Sequence, residues 1–190
     1  DLSKAYAQGA GAYEESASAR KEIQEINKAI YEKTNPEIMR LYQRGRNLSL
    51  AYFETIYKKL GTKFDFYFFE SEAGEYGKKI VEEEFKKPAR NASHSDAGGG
   101  IFEKSDGAIV FRGEKYGLHT RVFINSEGLP TYEAKELGLA KIKYDKYAYD
   151  KSVVITGNEI NEYFKVVLEA MKLIFPKLAT KTFHLSHGML

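Results

Sequence analysis

From Gly113 onward the chain repeats one pattern, and that pattern limits the fold more than any other feature. Short apolar runs at Arg121 to Asn125, Ser152 to Thr156 and Thr182 to Ser186 alternate with longer helical stretches at Thr131 to about Tyr147 and Glu159 to Phe175. Strands separated by helices of this length predict right-handed crossovers and a parallel sheet. Such sheets bind ligands beyond the carboxyl ends of their strands, which directs attention to Thr156-Gly157-Asn158-Glu159, where a strand opens into a helix. One such junction is common to every fold of this kind and does not by itself mark a nucleotide site.

The upstream half reads differently. Leu2 to about Glu32 is rich in Ala, Glu, Lys and Gln, with Ile23, Ile26, Ile30 and Tyr31 at helical spacing, and a break is expected near Gly9 and Gly11. Asn35-Pro36 predicts a new helix start, with Asn35 as N-cap and Pro36 in the first turn, and Gly61 predicts its left-handed end. The aromatic run Phe64 to Phe69 predicts a strand, and Glu75 to Lys86 a helix. Pro88 to Gly100 contains three consecutive glycines and almost no large apolar residue, which predicts a mobile loop. Ile101 to Lys104 and Ala108 to Phe111 flank Asp106-Gly107, the signal of a tight hairpin.

The chain is therefore expected to be α/β: a mostly helical region with a small antiparallel element over 1–112, then a parallel, partly Rossmann-like sheet over 113–190. A hydrophobic content of 43% over 190 residues is enough for a core. There is no apolar run of about 18 residues and no basic-then-apolar leader, so the expectation is a soluble, intracellular chain without a membrane partner. The absence of cysteine excludes disulfides and thiolate metal sites. Lys and Arg number 29 against 27 Asp and Glu, a net charge of +2, so any nucleic-acid contact would have to be a local patch.

Several residue groups could carry chemistry. Tyr132 and Glu136 lie one helical turn apart, and a phenol and a carboxylate on one face suit a cation, best of all a planar guanidinium. The same pair also describes an ordinary half-exposed helix face. His184 and His187 invite a metal reading, but residues three apart on a strand face opposite ways, which favours one histidine in the core and the other at a pocket. Lys141, Lys143, Lys146 and Lys151 interleave with Tyr144, Tyr147 and Tyr149, either as an RNA patch or, as preferred here, as a wet helix end above packed tyrosines.

Taken in order, these segments resemble the arginyl-tRNA synthetases. Gly128-Leu129-Pro130-Thr131-Tyr132-Glu133-Ala134-Lys135-Glu136 is similar to their Thr-Tyr segment, with its following base and acid. Val153 to Glu159, with Tyr163-Phe164, resembles their strand-to-helix turn, and His184 to Met189 the strand leading to their lysine loop. Leu48 to Phe53, Tyr57, Leu60-Gly61, Phe64-Asp65 and Glu70-Ser71 are similar to the insertion that splits their nucleotide fold.

The resemblance implies a piece of a class I, cytoplasmic arginine–tRNA ligase. The parent would condense arginine with ATP, aided by Mg2+, and transfer it to tRNA(Arg). It implies that Tyr132 and Glu136 contact arginine with Asn158 and Asn161 nearby, and that Gly157, His187, Gly188 and Met189 border ATP. The family often has Asp at Glu136 and Gln at Ile160. Neither a His-Ile-Gly-His motif nor a Lys-Met-Ser-Lys loop occurs in these 190 residues, so the piece alone is expected to be inactive and its exposed sheet edge to favour self-association. A non-catalytic RNA-binding or interaction module on the same scaffold is the alternative.

Overall fold

The computed structural model describes residues 2–88 and 100–188. Most of the loop expected over 88–100 lies outside the described residues, as does Met189. The chain divides into two compact units, Asp1–Phe66 and Tyr67–Leu190. The boundary expected between 112 and 113 falls inside the second of these.

The first unit is three helices: α1 (Leu2–Glu15), α2 (Ala17–Glu32) and α3 (Pro36–Leu60). The expected break at Gly9 and Gly11 does not occur; α1 runs through both and ends before Ser16. Two interior glycines cost about 1 kcal/mol each relative to alanine, which good flanking helix formers absorb. Ser16, in contrast, takes an extended backbone, and its hydroxyl oxygen accepts from the Ala19 N–H at 3.3 Å, an N-cap that restarts the helix. α3 begins and ends as expected: Asn35 Oδ1 accepts from the Glu37 and Ile38 N–H groups at 3.0 and 3.2 Å, and Gly61 sits at φ 68°. No residue of α2 or α3 is buried.

Phe64 to Phe69 is not a strand. Its composition favours an extended chain, but strand formation needs a partner ladder, and among the described residues no strand pairs with it. Phe64 instead packs edge-on against Tyr57 with ring centres 4.8 Å apart.

In the second unit, α4 (Glu70–Phe85) starts five residues earlier than expected, with acidic Glu70 and Glu72 in its first turn. The hairpin forms as read: β1 (Phe102–Ser105) and β2 (Ala108–Phe111) turn through Asp106 and Gly107, both at positive φ. β3 (Arg121–Ile124), expected as the first strand of the parallel sheet, pairs antiparallel with β2. The connection from Arg112 to Thr120 is shorter than the dozen or so residues that a parallel crossover requires. The parallel sheet thus consists of β4 (Ser152–Gly157) and β5 (Thr182–His187), joined through α6 (Asn161–Ile174) and the short α7 (Pro176–Ala179). α7 escaped notice because a single turn leaves no periodicity.

α5 (Tyr132–Lys146) is fixed by contact with α4 at backbone distance. A Cβ on Gly77 would lie 1.8 Å from the Ala134 carbonyl oxygen, and one on Gly138 would lie 2.0 Å from that of Ala73. Only glycine permits this approach. Beneath the helices, Phe102, Phe111 and Phe123 of the antiparallel sheet meet Val81, Leu137, Val166, Val167 and Met171 in one core. α5 is therefore held on two sides, by the glycine seam and by the core.

Candidate functional site

The turn that delivers α5 is tied down by hydrogen bonds. Asn125 Oδ1 accepts from the N–H groups of Glu127 and Leu129 at 3.1 and 2.9 Å, while Gly128 takes φ 76°. Thr131 donates its hydroxyl to the carbonyls of Val122 at 2.6 Å and Phe123 at 3.1 Å, pinning the start of the helix to β3. Tyr132 then emerges in the first turn with 69% of its surface exposed, and Lys135 Nζ lies 5.0 Å from its ring centre.

Glu136 follows one turn later and is partly buried. Burial pushes its carboxyl above the ordinary carboxylate range, with the positive charge of Lys143 opposing the shift. Among the described residues it makes no hydrogen bond or close ion pair. Lys143 is itself depressed by burial, with Glu136 opposing, and donates to Ser152 Oγ at 2.8 Å.

Three further residues bear on this cluster: Glu133 and Arg121, which carry no expected role, and Tyr163, which belongs to the family-like Tyr163-Phe164 pair. Glu133 is only 7% exposed, and its carboxylate stands 3.9 Å from Arg121 Nη1. Arg121 Nε is buried without a hydrogen-bond partner. Tyr163, from α6, packs against the core with its hydroxyl pushed far above the ordinary phenol range, first by burial and then by the carboxylates of Glu136 and Glu133; Arg121 acts the other way. Acids spaced three apart on α5 were the available signal for Glu133. Nothing local marks Arg121, which reaches Glu133 only through the packing of β3 and α5; Tyr163 is marked only by the Tyr163-Phe164 resemblance.

The second group of expected residues sits at the tips of the parallel strands. Gly157 pairs with His187, so the ends of β4 and β5 are neighbours. The Glu159 carboxylate folds onto Gly157, where a Cβ would lie 2.1 Å from Oε2. Asn158 is exposed, whereas Asn161 is partly buried with its Oδ1 buried and unpartnered. His184 is the inward histidine: Nε2 lies 2.7 Å from Thr156 Oγ1 and its ring stacks on Phe164 at 4.2 Å. His187 is exposed, with Nδ1 donating to the Gly188 carbonyl at 2.8 Å. α6 links the two groups, since Asn161 and Tyr163 both lie in its first turn.

The tyrosine-lysine stretch meets the expectation only in part: Tyr144 and Tyr149 meet edge-on at 5.1 Å with Tyr149 8% exposed, whereas Tyr147 is 63% exposed and Lys143 is partly buried. No group of three His, Asp or Glu side chains among the described residues could hold a metal, and no helix among them is long and apolar enough to cross a membrane.

No protein-family model matches the chain. Curated sequences do. The chain is 28% identical over 159 residues to the arginine–tRNA ligase of Amoebophilus asiaticus, covering 84% of this chain and 25% of that protein. With the ligase of Bacteroides thetaiotaomicron it shares 28% identity over 178 residues, 93% of this chain and 28% of that protein. The chain is similar to arginine–tRNA ligases. It spans about a quarter of the length of these curated ligases. Solved arginyl-tRNA synthetases share its fold: that of Plasmodium falciparum superposes with a TM-score of 0.66 at 16% identity over 90% of this chain and 28% of its own. That of Thermus thermophilus gives 0.51 at 17% identity, over 90% of this chain and 35% of its own.

Proposed function

We propose that this chain is part of a class I arginine–tRNA ligase acting in cytoplasmic protein biosynthesis, and that it supplies the arginine-binding face and one border of the ATP site. The observation that carries the reading is similarity to arginine–tRNA ligases along 84% to 93% of the chain. The chemistry of α5 agrees with it. Glu136 is a partly buried carboxylate without a close ionic partner among the described residues, and a guanidinium would relieve that unfavourable charge by a two-pronged hydrogen bond. Tyr132 stands one turn away to cover the cation, with Asn158 and Asn161 on the neighbouring segment.

β4, α6 and β5 are then the second half of a Rossmann-like nucleotide fold, with ATP beyond the strand ends at Gly157, His187 and Gly188. Met189 would continue that border. Mg2+ would serve the phosphate chemistry of the parent, held there largely by the substrate's own phosphates. The parent's partners are arginine, ATP and tRNA(Arg). The chain alone contributes binding groups, because neither of the family's two phosphate-handling motifs occurs in its 190 residues. The open edges of the β4–β5 pair are where the isolated chain would self-associate, which a solution mass measurement checks.

The test is arginine-dependent exchange of pyrophosphate into ATP. The full-length protein carrying this chain is expected to catalyse it and the isolated 190 residues to be silent. Absence of exchange in the full-length protein, with arginine and ATP saturating, overturns the reading.

A further inference from the structure

Lys135 is held more closely than a lysine on a helix surface usually is. Its side chain is only 11% exposed, and long charged side chains are seldom covered to that degree without a partner. The stem lies along α4, where a Cβ on Gly74 would stand 3.6 and 3.8 Å from its Cγ and Cε. The ammonium forms an ion pair with Glu70, in the first turn of the same helix, and lies 5.0 Å from the centre of the Tyr132 ring. α4 thus fixes the cation, and the cation faces the ring.

Tyr132 has little else to hold it. It stands in the first turn of α5 with 69% of its surface exposed, and no hydrogen bond among the described residues ties its hydroxyl. An exposed aromatic side chain on a helix has two χ1 wells open to it. A fixed cation over one face of the ring favours the rotamer that meets it, and leaves the opposite face and the hydroxyl open.

We propose that Lys135 is the positioning residue for Tyr132: anchored on α4 by Glu70, it holds the ring so that its free side meets the cationic ligand. That role rests on arginine binding at Tyr132. An ammonium beside a cationic ligand would by its charge alone repel it. Glu70 offsets this repulsion by pairing with the ammonium, so the pair orients the ring without presenting a net charge. Positioning and repulsion therefore predict opposite signs when the ammonium is removed. Loss of positioning weakens arginine binding, whereas loss of a positive charge beside an unpaired Glu70 strengthens it.

The experiment uses the full-length protein carrying this chain, with pyrophosphate exchange giving separate KM values for arginine and ATP. Lys135→Met keeps the stem and removes the ammonium; Lys135→Arg keeps a cation able to meet both Glu70 and the ring. Lys135→Met is expected to raise the arginine KM about fivefold, the scale of one cation–π contact at an exposed site, with the ATP KM within about twofold. Lys135→Arg should stay within about twofold of native for both. Tyr132→Ala completes a double-mutant cycle: once the ring is gone, Lys135→Met should add almost nothing. An unchanged or lowered arginine KM in Lys135→Met overturns the proposal, as does an arginine KM in Lys135→Arg as high as in Lys135→Met. An equal rise for arginine and ATP, or a full fivefold effect retained in the Tyr132→Ala background, also overturns it, because a merely structural lysine behaves in that way. If Tyr132→Ala weakens arginine while Lys135→Met does not, arginine binding at Tyr132 stands and the role of Lys135 falls. If Tyr132→Ala leaves the arginine KM intact, the underlying reading of Tyr132 falls and takes this role with it.

Discussion

In the first unit, α3 leaves Leu41, Leu48 and Leu60 between 59% and 72% exposed, while in the second Phe102, Phe111 and Phe123 are no more than 1% exposed. Both regions are built largely from well-formed helices, but what defines those helices differs. α3 is bounded by signals within its own sequence, Asn35 and Pro36 at one end and Gly61 at the other, and has no buried residue. α5 has no side-chain N-cap bond and is set by its neighbours, through Thr131 on β3, the Gly77–Gly138 seam against α4, and the core beneath. Local capping defines where a helix starts. Only tertiary packing fixes which way its side chains face, and the candidate site is on the packed helix.

The contrast can be broken most forcefully in the core. Phe123→Ala should cost about 3–5 kcal/mol of stability in thermal or urea denaturation, whereas Leu48→Ala on exposed α3 should change it by less than about 0.5 kcal/mol. Equal effects would mean that α3 is packed as tightly as the sheet. Next in size is the glycine seam. Gly77→Ala places a methyl group against the Ala134 carbonyl, and the shift of α4 from α5 should cost about 3 kcal/mol, visible as a lowered Tm and as loss of near-ultraviolet dichroism.

A smaller effect is expected at the helix cap of the first unit. Asn35→Ala removes the acceptor for two N–H groups and should cost about 1 kcal/mol, read from helical dichroism during denaturation.

The subtlest prediction concerns pH. The Glu136 carboxyl is raised in the folded state, so its contribution favours folding below its unfolded pKa and is lost as pH rises through the folded value. At neutral pH its charge therefore weakens the fold. Glu136→Gln should raise the Tm at pH 7 to 8, and the gain should shrink as the pH falls to the ordinary carboxylate range. A gain independent of pH would contradict the burial of this charge.

What could be read in advance follows the same division. Asn35-Pro36, Gly61 and Asp106-Gly107 act through their own backbone geometry, and the structure has each where it was expected. Helical spacing places Tyr132 and Glu136 on one face of α5 but describes an ordinary half-exposed helix equally well; their arginine role is implied only by the resemblance. Phe64 to Phe69 misled because strand propensity says nothing about whether a partner strand is present. The run of β3 looks the same in either kind of sheet, and only the short connection after Phe111 distinguishes the antiparallel pairing that forms. Ser16 ended α1 where two glycines had seemed the weaker points, since an available cap outweighs a modest propensity cost. Arg121 has no local signature, because it meets Glu133 only when β3 and α5 pack together, whereas Tyr163 is marked by the Tyr163-Phe164 resemblance alone.

The central claim is that Glu136 receives the side chain of arginine. Calorimetric titration of arginine into the full-length protein carrying this chain, native and Glu136→Gln, tests it most directly. The account predicts arginine affinity lowered about a hundredfold or more by the substitution, the scale expected when a buried charge partner is lost, with ATP affinity unchanged. Equal arginine affinity in the two proteins would contradict it.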